Sequence, residues 1–268
     1  MSAEALAAPG RVLRKPDLRL PSAWRVWQRN ASIYRRTYKL NILPNFFEPL
    51  FFLLAMGLGL GTYLSIRGLP YIDFIAPGLV ATAAMYGTSF EVTFNCFVKM
   101  KFGRIYDAAM ATPLSPEDVA LGELLWGTTR SLIYGVVFLA IASTFGVVHS
   151  WLALLSPVAI ALIGMMFSVI GLAFTAVIPV IDYFTYYWTL FMTPMFLFSG
   201  IFFPLDRLPQ WVEGLAWFMP LHHGVNLMRA LVLTGDLEAA ALAALWIVGL
   251  TAALFVLPLN LLRRRLVR

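Results

Sequence analysis

Few residues in this chain carry side chains suited to chemistry, and they fall in two groups. Ser199, His222 and His223 are the types from which a serine nucleophile and its base are made. Such a dyad needs the base within hydrogen-bond reach of the hydroxyl. Ser199 falls near the outer end of an apolar run and the histidines lie in the polar stretch after it. The local sequence Phe196-Leu197-Phe198-Ser199-Gly200 also lacks a Gly-x-Ser-Gly context. The Ser199-Gly200 pair reads better as a turn toward Pro204 than as an intramembrane protease centre, and no catalytic residue is expected. His222 and His223 with Asp206 or Glu213 have metal-donor types. Adjacent histidines on one helix point apart, so no metal is expected either.

The second group is Glu91, Glu123 and Arg130, ionisable residues inside apolar runs. Each costs several kcal/mol there unless paired or wet, which makes it a functional candidate by default. Glu91, with Asn95 one turn on, is placed to line a polar route. Glu123 and Arg130 are seven residues apart on one helix face. They are open to a second reading, as a structural pairing with neighbours near the cytoplasmic rim. No dense carboxylate or histidine relay accompanies them, which weakens a proton- or sodium-driven carrier. The chain has no G-x-x-x-x-G-K-[ST] stretch and no Gly-Lys pair at all, so it cannot bind ATP through a P-loop. Any ATP-driven engine must be another polypeptide.

The elements that carry these residues follow from composition. The chain is 60% hydrophobic and 13% charged over 268 residues, with mean hydropathy +0.78. A soluble domain is nearer half apolar and a quarter charged. The fold expected is an all-α polytopic membrane protein. It has six spans at about 45–65, 72–98, 120–147, 151–179, 183–203 and 239–262. A mobile segment, 1–21, precedes a single transmembrane domain, 22–262, and a basic tail, 263–268, follows. The lone Cys96 permits no internal disulfide. Trp24, Trp27, Ala31, Tyr34 and Tyr38 mark one face of a helix over 22–39, with Arg25, Arg29, Arg35, Arg36 and Lys39 charged. That is an amphipathic helix in the headgroup layer, in contact with membrane lipids. The Gly57-Leu58-Gly59-Leu60-Gly61 run offers a close-packing face to another helix or a second copy of the chain.

Between the second and third spans lies a polar elbow, 99–123. Phe102, Ile105, Tyr106, Ala109 and Met110 recur at helical spacing, with Lys99, Lys101, Arg104 and Asp107 opposite. Their apolar face can bury against a soluble partner or against the ends of neighbouring spans. Pro113 pushes Thr112 out of the helical region. Ser115 caps the next helix, Pro116 suits its first position, and Glu117 and Asp118 suit its positive end. After the fifth span, 204–235 is too polar to cross. It is expected to form two short helices dipping into the outer leaflet, the second with His222, Asn226 and Arg229 on one face and Leu221, Val225, Met228 and Val232 on another.

Lys and Arg gather on one side. Nine precede the first span, three lie in the elbow and four follow the last span, against Arg67, Arg207 and Arg229 opposite. The positive-inside rule places both termini and the elbow in the cytoplasm. This charge pattern points to membrane orientation and away from nucleic acid.

The stretch YDAAMATPLSPEDVALGELLWGTTRS, 106–131, resembles the elbow and third span of type-2 ABC exporter permeases. The stretch LFSGIFFPLDRLPQWVEGLAWFMPLHHGVNLMRAL, 197–231, resembles their fifth-span exit and outer helices. Within that family the likeness is to the nodulation branch, permeases for lipo-chitooligosaccharide export. The resemblance implies a bacterial inner-membrane half-transporter: two permease chains with two copies of a separate P-loop ATPase that binds ATP and Mg. It implies a coupling helix over 99–114 seated in the ATPase, with Phe102, Arg104, Ile105, Tyr106, Asp107, Met110, Thr112, Pro113, Leu114, Ser115, Pro116 and Glu117 at the contact. It implies that Trp24, Trp27, Arg29, Arg35 and Arg36 sit on a helix that also touches the ATPase. Glu91, Asn95, Ser199, Gly200, His222, Asn226 and Arg229 then stand on the cargo pathway or its gate. Relatives of this kind move amphipathic lipids, glycolipids, polysaccharides or drugs.

Overall fold

Long apolar runs punctuated by Gly, Pro and capping residues fold here into a helical bundle. The computed structural model of the chain describes residues 19–61, 63–66 and 68–267. The expected mobile segment lies outside these residues up to position 18, as do Arg67 and the side chains of Lys39, Glu48 and Arg207. Twelve helices, α1 to α12, alternate with short 3-10 and π-helical turns; the only strands among the described residues are β1 (Ser65–Ile66) and β2 (Leu69–Pro70), a two-residue hairpin.

The interfacial helix and the first span are not separate elements. α1 runs unbroken over Leu20–Phe52 and continues through a π-helical stretch to Leu60. Its inward face is a different one from the aromatic face expected to meet lipid. Ala23, Val26 and Asn30 are buried, while Trp24 and Tyr38 are about half exposed. Helices in lipid associate through close packing and polar contacts, since lipid tails are as apolar as the helices themselves. Gly122 supplies that closeness: a Cβ there would stand 2.5 Å from Val26 Cβ and 2.9 Å from the Ala23 carbonyl.

The expected second span is α2 (Tyr71–Phe90), a π turn (Glu91–Asn95) and α3 (Cys96–Lys101), in continuous succession. It therefore takes in Lys99 and Lys101, which were assigned to the elbow. The chain breaks only at Gly103 and Arg104, where Arg104 has left-handed backbone (φ 45°). The elbow helix α4 is just Ile105–Met110, so the expected apolar face is not continuous: Phe102 is 69% exposed and Tyr106 1%.

α5 (Pro116–Ser143) starts from the expected corner. Ser115 Oγ accepts from Asp118 N–H at 3.1 Å, and Asp118 returns the bond to Ser115 N–H at 3.1 Å. α6 (Ser156–Val177) follows a 3-10 turn over Trp151–Leu155. At the crossing of α2, α5 and α6, a Cβ on Gly127 would lie 2.4 Å from Ser168 Oγ and 2.9 Å from Thr88 Oγ1. Those two hydroxyls are themselves 2.6 Å apart.

The expected fifth span is short. A 3-10 turn (Ile181–Tyr183), α7 (Phe184–Tyr186), a π turn (Tyr187–Met192) and α8 (Thr193–Phe198) end before Ser199. Two outer helices follow, α9 (Gln210–Trp217) and α10 (Pro220–Arg229), the latter extended by a π turn to Thr234. Leu221, Val225, Met228 and Val232 are buried, on the apolar face expected for them. α11 (Leu237–Leu254) and α12 (Val256–Leu266) complete the bundle, so the segment expected as a basic tail is helical as far as Leu266. Three described helices are long and apolar enough to cross a membrane: 116–143, 151–177 and 237–266.

Candidate functional site: a buried charge cluster above the elbow

The π turn at Glu91–Asn95 brings Glu91 and Asn95 side by side, with Asn95 Nδ2 donating to Glu91 Oε2 at 2.7 Å. Such turns free backbone groups and often occur at functional sites. Here Thr175 Oγ1 donates to the Val92 carbonyl at 2.8 Å. Two turns on, Lys99 turns inward and places its Nζ 2.8 Å from Glu91 Oε1 and 2.8 Å from Glu123 Oε2. α5 contributes Arg130, whose Nη1 lies 3.5 Å from Glu91 Oε2 and whose Nη2 donates to Tyr134 Oη at 2.8 Å. α1 contributes Asn30, which donates to Glu123 Oε2 at 3.0 Å. Glu123 and Arg130 share a helix as expected, but each is paired with the second span and not with the other.

Two carboxylates face two cations, so the cluster is electrically balanced. In a low-dielectric interior neither sign could stay charged without the other. Lys99 and Asn30 escaped the sequence reading. Lys99 looks like an elbow charge unless the helix is known to run on to Lys101. The available signal was Phe102-Gly103, a natural helix end.

The elbow reaches this cluster from below. Tyr106 is buried, with its hydroxyl beside the Cys96 thiol and the Glu123 carboxylate. Burial first, then those neighbours, push its phenol well above the ordinary tyrosine value and keep it neutral. Phe102, Arg104, Asp107, Ala108, Thr112 and Pro113 are exposed, Ile105, Met110, Leu114, Ser115 and Pro116 are half-buried, and Glu117 is buried. Glu117 accepts from Arg263 of α12 at 2.9 Å. On α1, Arg35 and Arg36 are exposed, and Arg29 is half-buried with its Nη1 3.5 Å from Asn30 Oδ1. Trp27 donates to Thr129 Oγ1 at 2.8 Å and stacks on Trp24 at 4.2 Å.

The outer residues form a different structure. His222 Nδ1 lies 3.2 Å from the Ser199 carbonyl oxygen, and its Nε2 lies 2.9 Å from Asn226 Nδ2. Ser199 Oγ donates instead to the Phe196 carbonyl at 3.4 Å. The base thus meets the backbone of Ser199 and not its hydroxyl. His223 points elsewhere, to the Trp217 carbonyl at 2.7 Å, with its ring stacked on Trp246 at 3.8 Å. Arg229 donates to the Gly200 carbonyl at 3.0 Å and the Phe74 carbonyl at 3.2 Å. Gly200 has φ +84°, and its left-handed backbone turns the chain toward Pro204. Among the described residues no group of three or more His, Cys, Asp or Glu could hold a metal ion.

Comparison with known proteins agrees with this architecture. Residues 22–233 match the family model for ABC-2 type transporters. Nodulation protein J of Sinorhizobium fredii is 37% identical over 245 residues, covering 90% of this chain and 92% of that protein. Nodulation protein J of Rhizobium leguminosarum bv. viciae is 35% identical over 249 residues, covering 91% and 94%. The inner membrane transport permease YadH of Escherichia coli is 23% identical over 207 residues, covering 76% and 80%. The chain belongs to the ABC-2 type transporter family, as a membrane permease of the nodulation protein J kind.

Proposed function

We propose that this chain is the permease of an ATP-driven exporter in the bacterial inner membrane. Two copies work with two copies of a separate P-loop ATPase, which binds ATP and Mg. The cargo is amphipathic: a lipo-oligosaccharide, glycolipid, polysaccharide or drug. Six spans are drawn from the later part of α1, residues 71–101, α5, 151–177, 181–198 and 237–266. Both termini and the elbow face the cytoplasm, following the Lys and Arg distribution.

The observation that carries this reading is the two-sided elbow. Its outward side presents Phe102, Arg104, Asp107 and Ala108, all exposed. Its inward side is Tyr106, seated under the charge cluster. A partner pressing on α4 drives Tyr106 toward Glu123, and the capped corner at Ser115 carries the same motion into α5. Docking on the exposed side and transmission through the buried side are thus separate tasks on one short helix.

The exposed side gives the test. Asp107→Lys combined with Ala108→Trp reverses a charge and adds bulk where nothing within the chain is disturbed. ATPase co-purification is expected to fall at least about tenfold, the scale of a lost 1.4 kcal/mol contact or more. The permease itself should still elute as the wild type does. Unchanged ATPase recovery and unchanged hydrolysis in reconstituted vesicles would remove the coupling assignment.

A further inference from the structure

Two neighbouring cavities beside the charge cluster share Tyr34 and Trp126 in their linings. The first, of about 220 Å³, sets the polar groups of Glu91, Asn95, Lys99 and Arg130 from the cluster above among apolar walls. The second, of about 500 Å³, is an aromatic cleft between α1 and α5 that includes Trp27, Tyr38 and Ile133. Tyr34 and Trp126 meet edge to face at 5.6 Å, and the Arg130 guanidinium lies over the Tyr34 ring at 4.5 Å.

Three features of the polar cavity point to a ligand. Its walls keep hydrogen-bonding capacity in reserve: Tyr34 Oη and Arg130 Nε are buried without a hydrogen-bond partner. Buried polar groups are nearly always satisfied, and those left over ask for a missing partner. Its wall includes a π turn, the backbone distortion that recurs at binding sites. Its lining charges, Glu91, Lys99 and Arg130, are already paired, and Glu123 behind the wall completes two carboxylates against two cations. An anionic head would have to displace Glu91 from Lys99, whereas an uncharged head bearing hydroxyls or amides can add to the network without breaking a pair. Edge and face of Trp126 and Tyr34 suit a saturated ring. The rim residues Ile33 and Val98 are exposed, which opens the cavity sideways toward lipid.

We propose that the two cavities form one amphipathic site. The polar cavity takes the uncharged head of a glycolipid, a single sugar ring by size, and the aromatic cleft takes the start of its apolar chain. This deepens the exporter reading and rests on it only for the direction of travel. The ligand chemistry is shared by a cargo molecule and by a resident neutral glycolipid of the inner leaflet.

The test is photo-crosslinking of the full-length chain in phosphatidylcholine nanodiscs with a diazirine-bearing alkyl glucoside, read by peptide mass spectrometry. Saturable labelling of segments 30–38 and 91–99, displaced by unlabelled alkyl glucoside, is the expected result. Free glucose and the matching alkyl phosphate should displace at least tenfold more weakly. Tyr34→Phe keeps the ring and removes only a hydroxyl that no protein group uses, so it should weaken labelling several-fold with no change in thermal stability. Labelling that is absent, that the alkyl phosphate displaces equally well, or that Tyr34→Phe leaves unchanged would overturn the site. A second arm adds the ATPase and measures hydrolysis. Stimulation by the glucoside that tracks site occupancy assigns the site to cargo, and bound glucoside without stimulation assigns it to a resident lipid. Loss of ATPase recovery in the elbow variant is read separately, so failure of the exporter reading and failure of this site are distinguishable.

Discussion

The polar residues around α10 and those of the charge cluster meet the same cost by opposite means. Around α10, His222, His223 and Arg229 all bond to backbone carbonyls, those of Ser199, Trp217, Gly200 and Phe74. The carbonyls of Ser199, Gly200 and Trp217 lie where helices end or turn, and bare backbone is costly in an apolar setting. The side chains there supply missing helical hydrogen bonds, and they fix α10 against α2 and the end of α8. In the cluster, Glu91, Lys99, Glu123 and Arg130 bond to one another, side chain to side chain, from two different helical segments. Such bonds hold elements together while leaving the backbone of each element complete. The first arrangement sets a shape; the second sets a relation between parts that can change.

Substitutions can break this contrast. The largest effect is expected from Lys99→Met, which leaves Glu91 and Glu123 buried with only Arg130 to balance them. The cost should be about 3–5 kcal/mol, seen as a large drop in the thermal midpoint of the detergent-solubilised chain. Adding Glu123→Gln to Lys99→Met should restore more than half of it, because the Glu91–Arg130 pair then remains neutral. No restoration would mean that packing, not charge, holds the cluster. Arg229→Ala should cost less, about 1–3 kcal/mol for carbonyls left unsatisfied, seen as a smaller drop in the same thermal midpoint. The smallest effect is expected from Ser199→Ala, which removes one long hydrogen bond and should cost under about 1 kcal/mol. Wild-type protein should also resist a fluorophosphonate probe. Stoichiometric labelling at Ser199 would restore the protease reading of the outer end.

Much of the scaffold was legible because local chemistry dictates it. Ser115, Pro116 and Asp118 announce the start of α5, and the Leu221, Val225, Met228, Val232 spacing announces the buried face of α10. The cluster was only half legible. Glu91, Glu123 and Arg130 stand out as charges in apolar runs, but their pairing depends on how three helices are rotated, which no local pattern encodes. Lys99 was misplaced because a charge at a helix end reads as solvated until the helix is known to pass that point. The packing face of α1 was not legible for a related reason. Trp and Tyr are conspicuous, yet Ala23 and Val26 are the residues that meet Gly122. The short fifth span escaped as well, since apolar composition continues through Ser199–Phe203 after the helix has stopped.

The first turn of α5 has a further consequence, which concerns the order in which the protein is made. Asp118 caps the turn and also accepts from the Arg19 N–H at 2.9 Å, while the neighbouring Glu117 accepts from Arg263 at 2.9 Å. One turn therefore fastens a segment translated long before it and another translated 146 positions later. Until α12 emerges from the ribosome, Glu117 has no Arg263 to bind, and the corner beside the elbow stays incomplete. The closing of that ion pair marks the moment at which the corner gains its second fastening. A nascent chain in which α12 is not yet made holds this corner only through Asp118 and Arg19.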